Sequence, residues 1–72
     1  MDCPTGYKYL EGDVLGATLE GDIDASITEC AARCSANSEC GSFEFNSEKC
    51  NLNKEREPNL PQYGEWTFCS KI

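Results

Sequence analysis

An α+β fold is what this sequence predicts: one short helix cradled by short antiparallel strands and tied by disulfides. Three observations point to it. Six cysteines fall within 72 residues that contain no histidine. A capped helical stretch occupies residues 27–36. Short alternating segments rich in aromatic residues stand on both sides of it.

The cysteines are Cys3, Cys30, Cys34, Cys40, Cys50 and Cys69. An even number at this density in so short a chain implies a disulfide framework, and therefore an oxidising compartment outside the cytosol. The absence of histidine removes the commonest general base, the Ser-His and Cys-His nucleophile pairs and the favoured zinc ligand. Such a chain is better suited to binding than to catalysis, and no enzyme is expected. A domain of this length buries only about 60% of its unfolded surface, so its fold should depend on its bridges. Loop-closure entropy assigns about 4 kcal/mol to a bridge spanning nearly the whole chain and about 2 kcal/mol to a very short one.

The elements follow in order. Tyr7-Lys8-Tyr9-Leu10 alternates as a strand, and Gly12-Asp13 marks a turn. Val14-Leu15 and Ala17-Thr18-Leu19 read as a second strand broken at Gly16, with Glu20–Asp24 a loop leading into the helix. Ser26 and Glu29 have capping-box spacing, Ile27 to Ala36 carries good helix formers, and Asn37 is placed to end the helix in a left-handed conformation. Ile27, Cys30, Ala31 and Cys34 share one face, which turns both helix cysteines inward. Phe43-Glu44-Phe45 alternates with both rings inward and the glutamate outward. With Lys49–Asn53 it forms a hairpin across Asn46-Ser47-Glu48. Lys54 to Gln62, with Pro58 and Pro61, is a charged surface loop, and Glu65–Cys69 is the last strand. Nothing marks a domain boundary, and residues 1–72 read as one module.

Cys30 and Cys34, one helical turn apart, are poorly placed to bridge each other. If Cys3 and Cys69 close the ends, two arrangements survive: Cys30-Cys50 with Cys34-Cys40, or Cys30-Cys40 with Cys34-Cys50. The position of Cys40 just beyond the last helical turn favours the first.

The series Cys30-Ala31-Ala32-Arg33-Cys34, then Cys40-Gly41-Ser42-Phe43-Glu44-Phe45, then Cys50-Asn51-Leu52 resembles the centre of a PAN/apple module. That family runs Cys-x3-Cys, a short gap, Cys-x2-Phe-x-aromatic and a later Cys-x-Leu. Cys3 and Cys69 resemble the outer cysteines of apple-type members, and Gly12-Asp13-Val14 is similar to a Gly-Asp-aliphatic turn before the helix. The resemblance implies a five-stranded antiparallel sheet cradling one helix, with a smaller two-stranded piece. It also implies the nested bridges Cys3-Cys69, Cys30-Cys50 and Cys34-Cys40. PAN/apple modules are non-catalytic extracellular domains that recognise proteins or carbohydrates. No functional residue carries across, because the family has no single shared ligand site.

Thirteen acidic residues against six basic ones give a net charge of -7. That disfavours nucleic acid and anionic membrane surfaces as partners, and heparin for the same reason. No apolar run approaches a membrane span and no targeting segment is visible. A secreted protein, or the extracellular part of a surface protein, would then have lost its signal peptide or been cut from a longer chain. A thiolate zinc site is disfavoured because only Cys30 and Cys34 have knuckle spacing. Asp22 and Asp24, with Glu20 nearby, lack the spacing of a calcium loop and read as a solvated segment. No cofactor or metal is expected.

The candidate ligand-binding residues are Tyr7, Tyr9, Tyr63 and Trp66, which could stack on a sugar or anchor a protein partner. Against this, a short core needs its large side chains, and Trp66 and Phe68 suit the interior. The loops at Lys54–Tyr63 and Glu20–Asp24 are the other places where binding would be sought. The reading is an extracellular adhesion or surface-recognition module for a protein or glycan. The alternative is a free-standing secreted inhibitor or toxin-like effector that blocks a protease, receptor or channel.

Overall fold

The computed structural model describes residues 3–61 and 66–72. Its strands are β1 (Tyr7–Leu10), β2 (Glu20–Asp24), β3 (Ser42–Asn46), β4 (Lys49–Asn53) and β5 (Thr67–Lys71), with one helix, α1 (Ile27–Ala36). They form a single antiparallel sheet in the order β1-β5-β3-β4-β2, with α1 against one face. This is the α+β architecture of a sheet cradling one helix.

Helix α1 begins where the side chains dictate. Ser26 Oγ accepts from the Glu29 N–H at 3.2 Å, and Glu29 Oε1 accepts from the Ser26 N–H at 2.9 Å, which closes the capping box. Cys30, Ala31 and Cys34 are buried, and Ile27 packs at the margin of the core. The helix ends differently from the sequence expectation. Asn37 is extended (φ -112°, ψ 111°) rather than left-handed. Its carbonyl accepts from the Cys40 N–H at 3.0 Å and its Oδ1 from the Glu39 N–H at 2.9 Å. This tight turn brings Cys40 back beneath Cys34.

Three disulfides join the layers: Cys3–Cys69, Cys30–Cys50 and Cys34–Cys40, with Cα–Cα separations of 5.7, 5.9 and 5.2 Å. These are the nested pairs that the resemblance implies. They tie the amino-terminal segment to β5, the helix to β4, and the helix to the entrance of β3. Of the nine buried residues in the core cluster, five are half-cystines, so the interior itself consists largely of cross-links. Phe43, Leu52 and Tyr7 supply the bulk, with the Tyr7 and Phe43 rings edge-to-face at 5.0 Å.

Glu20–Asp24 is strand β2, not a loop, and residues 14–19 form no strand. The acidic composition that suggested a loop suits a sheet edge, where charged side chains keep the open side from pairing. A register shift lies between Glu20 and Ile23. Within it Asp22 takes φ 57°, and its N–H donates to Asn51 Oδ1 at 2.9 Å. Among the described residues, the implied two-stranded piece is seen as one bridge, Asp13 with Leu60.

Candidate binding recess on the far face of the sheet

Pleating divides the sheet residues between two faces. Tyr7, Phe43, Cys50, Leu52 and Cys69 face the helix, so their strand neighbours Ser42, Glu44, Asn53, Phe68 and Ser70 face away from it. These neighbours are buried nevertheless. The expectation that Glu44 points outward is corrected on this point: it leaves the helix face, but it is only 2% exposed. The loops 11–19 and 54–61 cross over this face and cover it.

The cover is held by backbone contacts. The Asp13 N–H donates to Leu60 O at 3.0 Å, and the Leu60 N–H returns to Asp13 O at 3.0 Å. Ser42 Oγ donates to Glu55 O at 2.5 Å, and Ser70 Oγ to Arg56 O at 2.6 Å. Two glycines permit the close approach. A Cβ on Gly12, whose φ is +124°, would lie 2.6 Å from Pro58 Cβ, and one on Gly41 would lie 2.5 Å from Lys54 O.

Where the cover is incomplete, a recess of about 190 Å³ opens, lined by Asp13, Val14, Gly16, Glu44, Asn51 and Trp66. Asp13 is 2% exposed, and its Oδ1 accepts from the Val14 N–H at 3.0 Å. Burial pushes the Asp13 carboxyl above its ordinary range, and the Val14 hydrogen bond offsets this only in part. Glu44 Oε1 receives a long 3.5 Å contact from Asn53 Nδ2, while Asn53 Oδ1 is buried with no partner among the described residues.

Among the described residues, Tyr7, Tyr9 and Trp66 do not form one platform. Tyr7 is 7% exposed, and its hydroxyl lies 3.0 Å from Ala31 O and 2.9 Å from Ser35 Oγ, so it serves the helix–sheet contact. Tyr9, 36% exposed, follows Tyr7 on the helix side of β1. Trp66 lines the recess on the opposite side, and Tyr63 lies outside the described residues. Asp13, Glu44 and Asn51 were not singled out as site residues. The alternation of Phe43, Glu44 and Phe45 assigned Glu44 to the far face, but no local signal shows that loops cover that face. Two of the three acids of β2 are engaged elsewhere: Lys49 pairs with Asp24 at 2.7 Å and Arg33 with Glu20 at 3.7 Å. Among the described residues, no three metal-ligating side chains come together.

Three bridges, a helix on a five-stranded sheet and an indented, loop-covered far face define a small cross-linked α+β domain. The chain belongs to the PAN domain family, whose model matches residues 3–71. PAN domains are protein- or carbohydrate-binding modules and are generally non-catalytic. Disulfide-rich PAN domains are typical of extracellular proteins. No curated protein and no solved structure matches the chain. Among the described residues, no helix is long and apolar enough to cross a membrane.

Proposed function

We propose that this chain is a single extracellular, non-catalytic recognition module, working in adhesion or surface recognition, that takes a protein or carbohydrate ligand in the far-face recess. The observation that carries this reading is the recess itself. Buried polar side chains and a tryptophan wall converge there in a fold whose family is made of binding modules. Glu44 and Asn51 stand on the cross-linked sheet and Asp13 is tied to Leu60 by the bridge between the covering loops, which limits the order that has to be gained on binding. Of the aromatic candidates, Trp66 is the expected contact. Tyr63 is three residues away in sequence and is proposed to act with it. Tyr9 would serve a ligand that approaches from the helix side.

The test is to display the oxidised protein on a glycan array and on a panel of cell-surface ectodomains. Trp66→Ala is run beside the wild type, with a melting curve for each. The expected result is a ligand whose binding drops at least about 30-fold in the variant, as for a buried hot-spot aromatic. A ligand bound equally well by a folded Trp66→Ala protein would remove the recess from the reading. Binding to no glycan or ectodomain in either panel would count against recognition as the function.

A further inference from the structure

Among the described residues, no basic side chain is paired with the carboxyls of the far-face recess. Asp13 and Glu44 are each 2% exposed, and both line the recess. Buried carboxylates are ordinarily paired, because charge taken out of water without a partner is costly. Among the described residues, the ion pairs are Arg33 with Glu20 and Lys49 with Asp24, neither of them in the recess. The remaining basic side chains are no closer to the task. Arg56 Nη1 donates to Lys71 O at 3.1 Å, Lys71 Nζ donates to Asn37 O at 3.3 Å, and Lys8 and Lys54 are exposed. Residues 62–65 are Gln, Tyr, Gly and Glu, so the sequence places no basic side chain there either.

The chemistry of the walls narrows what could supply the missing charge. The recess offers two carboxylates, and Asn53, which reaches Glu44 from outside the recess lining, keeps its Oδ1 without a partner among the described residues. An alkylammonium group brings three donors and no acceptor. Trp66 provides an indole wall, the aromatic surface best suited to a cation, and Val14 provides apolar surface for a methylene stem. The raised Asp13 carboxyl is the mark of a buried acid without a counter-charge. The protein's charge of -7 also draws cationic partners toward it.

We infer that the recess formed by Asp13, Glu44, Asn51 and Trp66 is a docking site for a lysine side chain of a protein partner, its ammonium seated between the two carboxylates. This deepens the recognition reading and rests on it for the use of the recess as a binding site. It selects a protein over a glycan as the ligand.

Trp66 is the only tryptophan, so its emission and its indole N–H resonance report on the recess without labelling. The wild-type protein is titrated with Nα-acetyl-lysine methylamide, its uncharged counterpart Nα-acetyl-norleucine methylamide, calcium chloride and galactose. The expected result is a saturable response to the lysine probe alone, with Kd on the order of 1 mM and weakening as salt is raised. Asp13→Asn and Glu44→Gln keep the shape of each side chain. Each should weaken the lysine probe about 10-fold, with melting curves showing that the variants fold.

Equal responses to the lysine and norleucine probes, or none to lysine up to about 100 mM, would overturn the inference. So would undiminished lysine binding in both folded variants. The wild-type comparison decides the matter even if a variant fails to fold. A response to galactose or calcium instead of lysine would also overturn the ammonium assignment while leaving recognition by the recess intact. Failure of all four probes together with failure of both array panels would defeat the recognition reading itself.

Discussion

Asp13 shows how one side chain can be costly to the fold and suited to a ligand. Its carboxyl is raised by burial and only partly compensated by the Val14 N–H. A carboxyl raised in the folded state is protonated more readily there than in the unfolded chain. Its contribution to stability is therefore full below the ordinary carboxylate range and is lost as pH rises through the raised folded value. Glu44 lines the same recess and is equally buried. Asp13→Asn removes one titrating group without changing its shape. The variant should gain on the wild type as pH rises from the ordinary carboxylate range through the raised folded value, as read by paired thermal melts. A stability difference that stays constant over that range would show that the Asp13 charge costs the fold nothing. The sequence displays Asp13 in its Gly12-Asp13-Val14 turn. Its burial arises only because the chain returns at Leu60 to cover it.

The helix is the element most legible in the sequence, because its start is a local matter. Ser26 and Glu29 satisfy each other's backbone N–H groups without help from the rest of the protein. Glu29 is held below the usual carboxylate range, first by the Ser26 backbone N–H and then by the Ser26 hydroxyl. That sign is opposite to the one at Asp13: the Glu29 contribution is present above the ordinary carboxylate range and is lost as pH falls through the lowered folded value. Ser26→Ala should destabilise the domain by about 1 kcal/mol, or about 4–8 °C in melting temperature. A loss below about 1 °C would mean that the Cys30 and Cys34 bridges hold the helix start without its cap. Strand β2 is the counter-example. Glu20–Asp24 looks like a loop by composition, and it becomes a strand because β4 offers a free edge and Asn51 captures the Asp22 N–H. Edge pairing of that kind is a tertiary event, and residue preferences weigh little against it.

At the scale of the whole molecule, the bridges decide whether there is a fold at all. Cys3–Cys69 closes a separation of 66 residues beside the pairing of β1 with β5. Chain-entropy arithmetic assigns it about 4 kcal/mol, a large part of the roughly 5–15 kcal/mol by which small domains are stable. Replacing both residues, Cys3→Ala with Cys69→Ala, should lower the melting temperature by roughly 15–30 °C with the other two bridges intact. A fall under about 5 °C would show that β1 docks on β5 unaided.

The sequence by itself determined the α+β class, the α1 span, the aromatic pair of β3, the hairpin and, through its cysteine spacing, the family. Each of these rests on residues close together in the chain, where periodicity, capping and spacing act directly. The tertiary structure decided the edge strand β2, the extended conformation of Asn37 and the burial of Glu44. It also decided the meeting of Asp13, Glu44, Asn51 and Trp66 in one recess. Strand β2 depends on the open edge of β4, and Asn37 on the turn that returns Cys40 to Cys34. The burial of Glu44 and the recess depend on two loops folding over a sheet face from positions far apart in sequence, and the pattern of any one segment carries no record of what comes to lie on top of it.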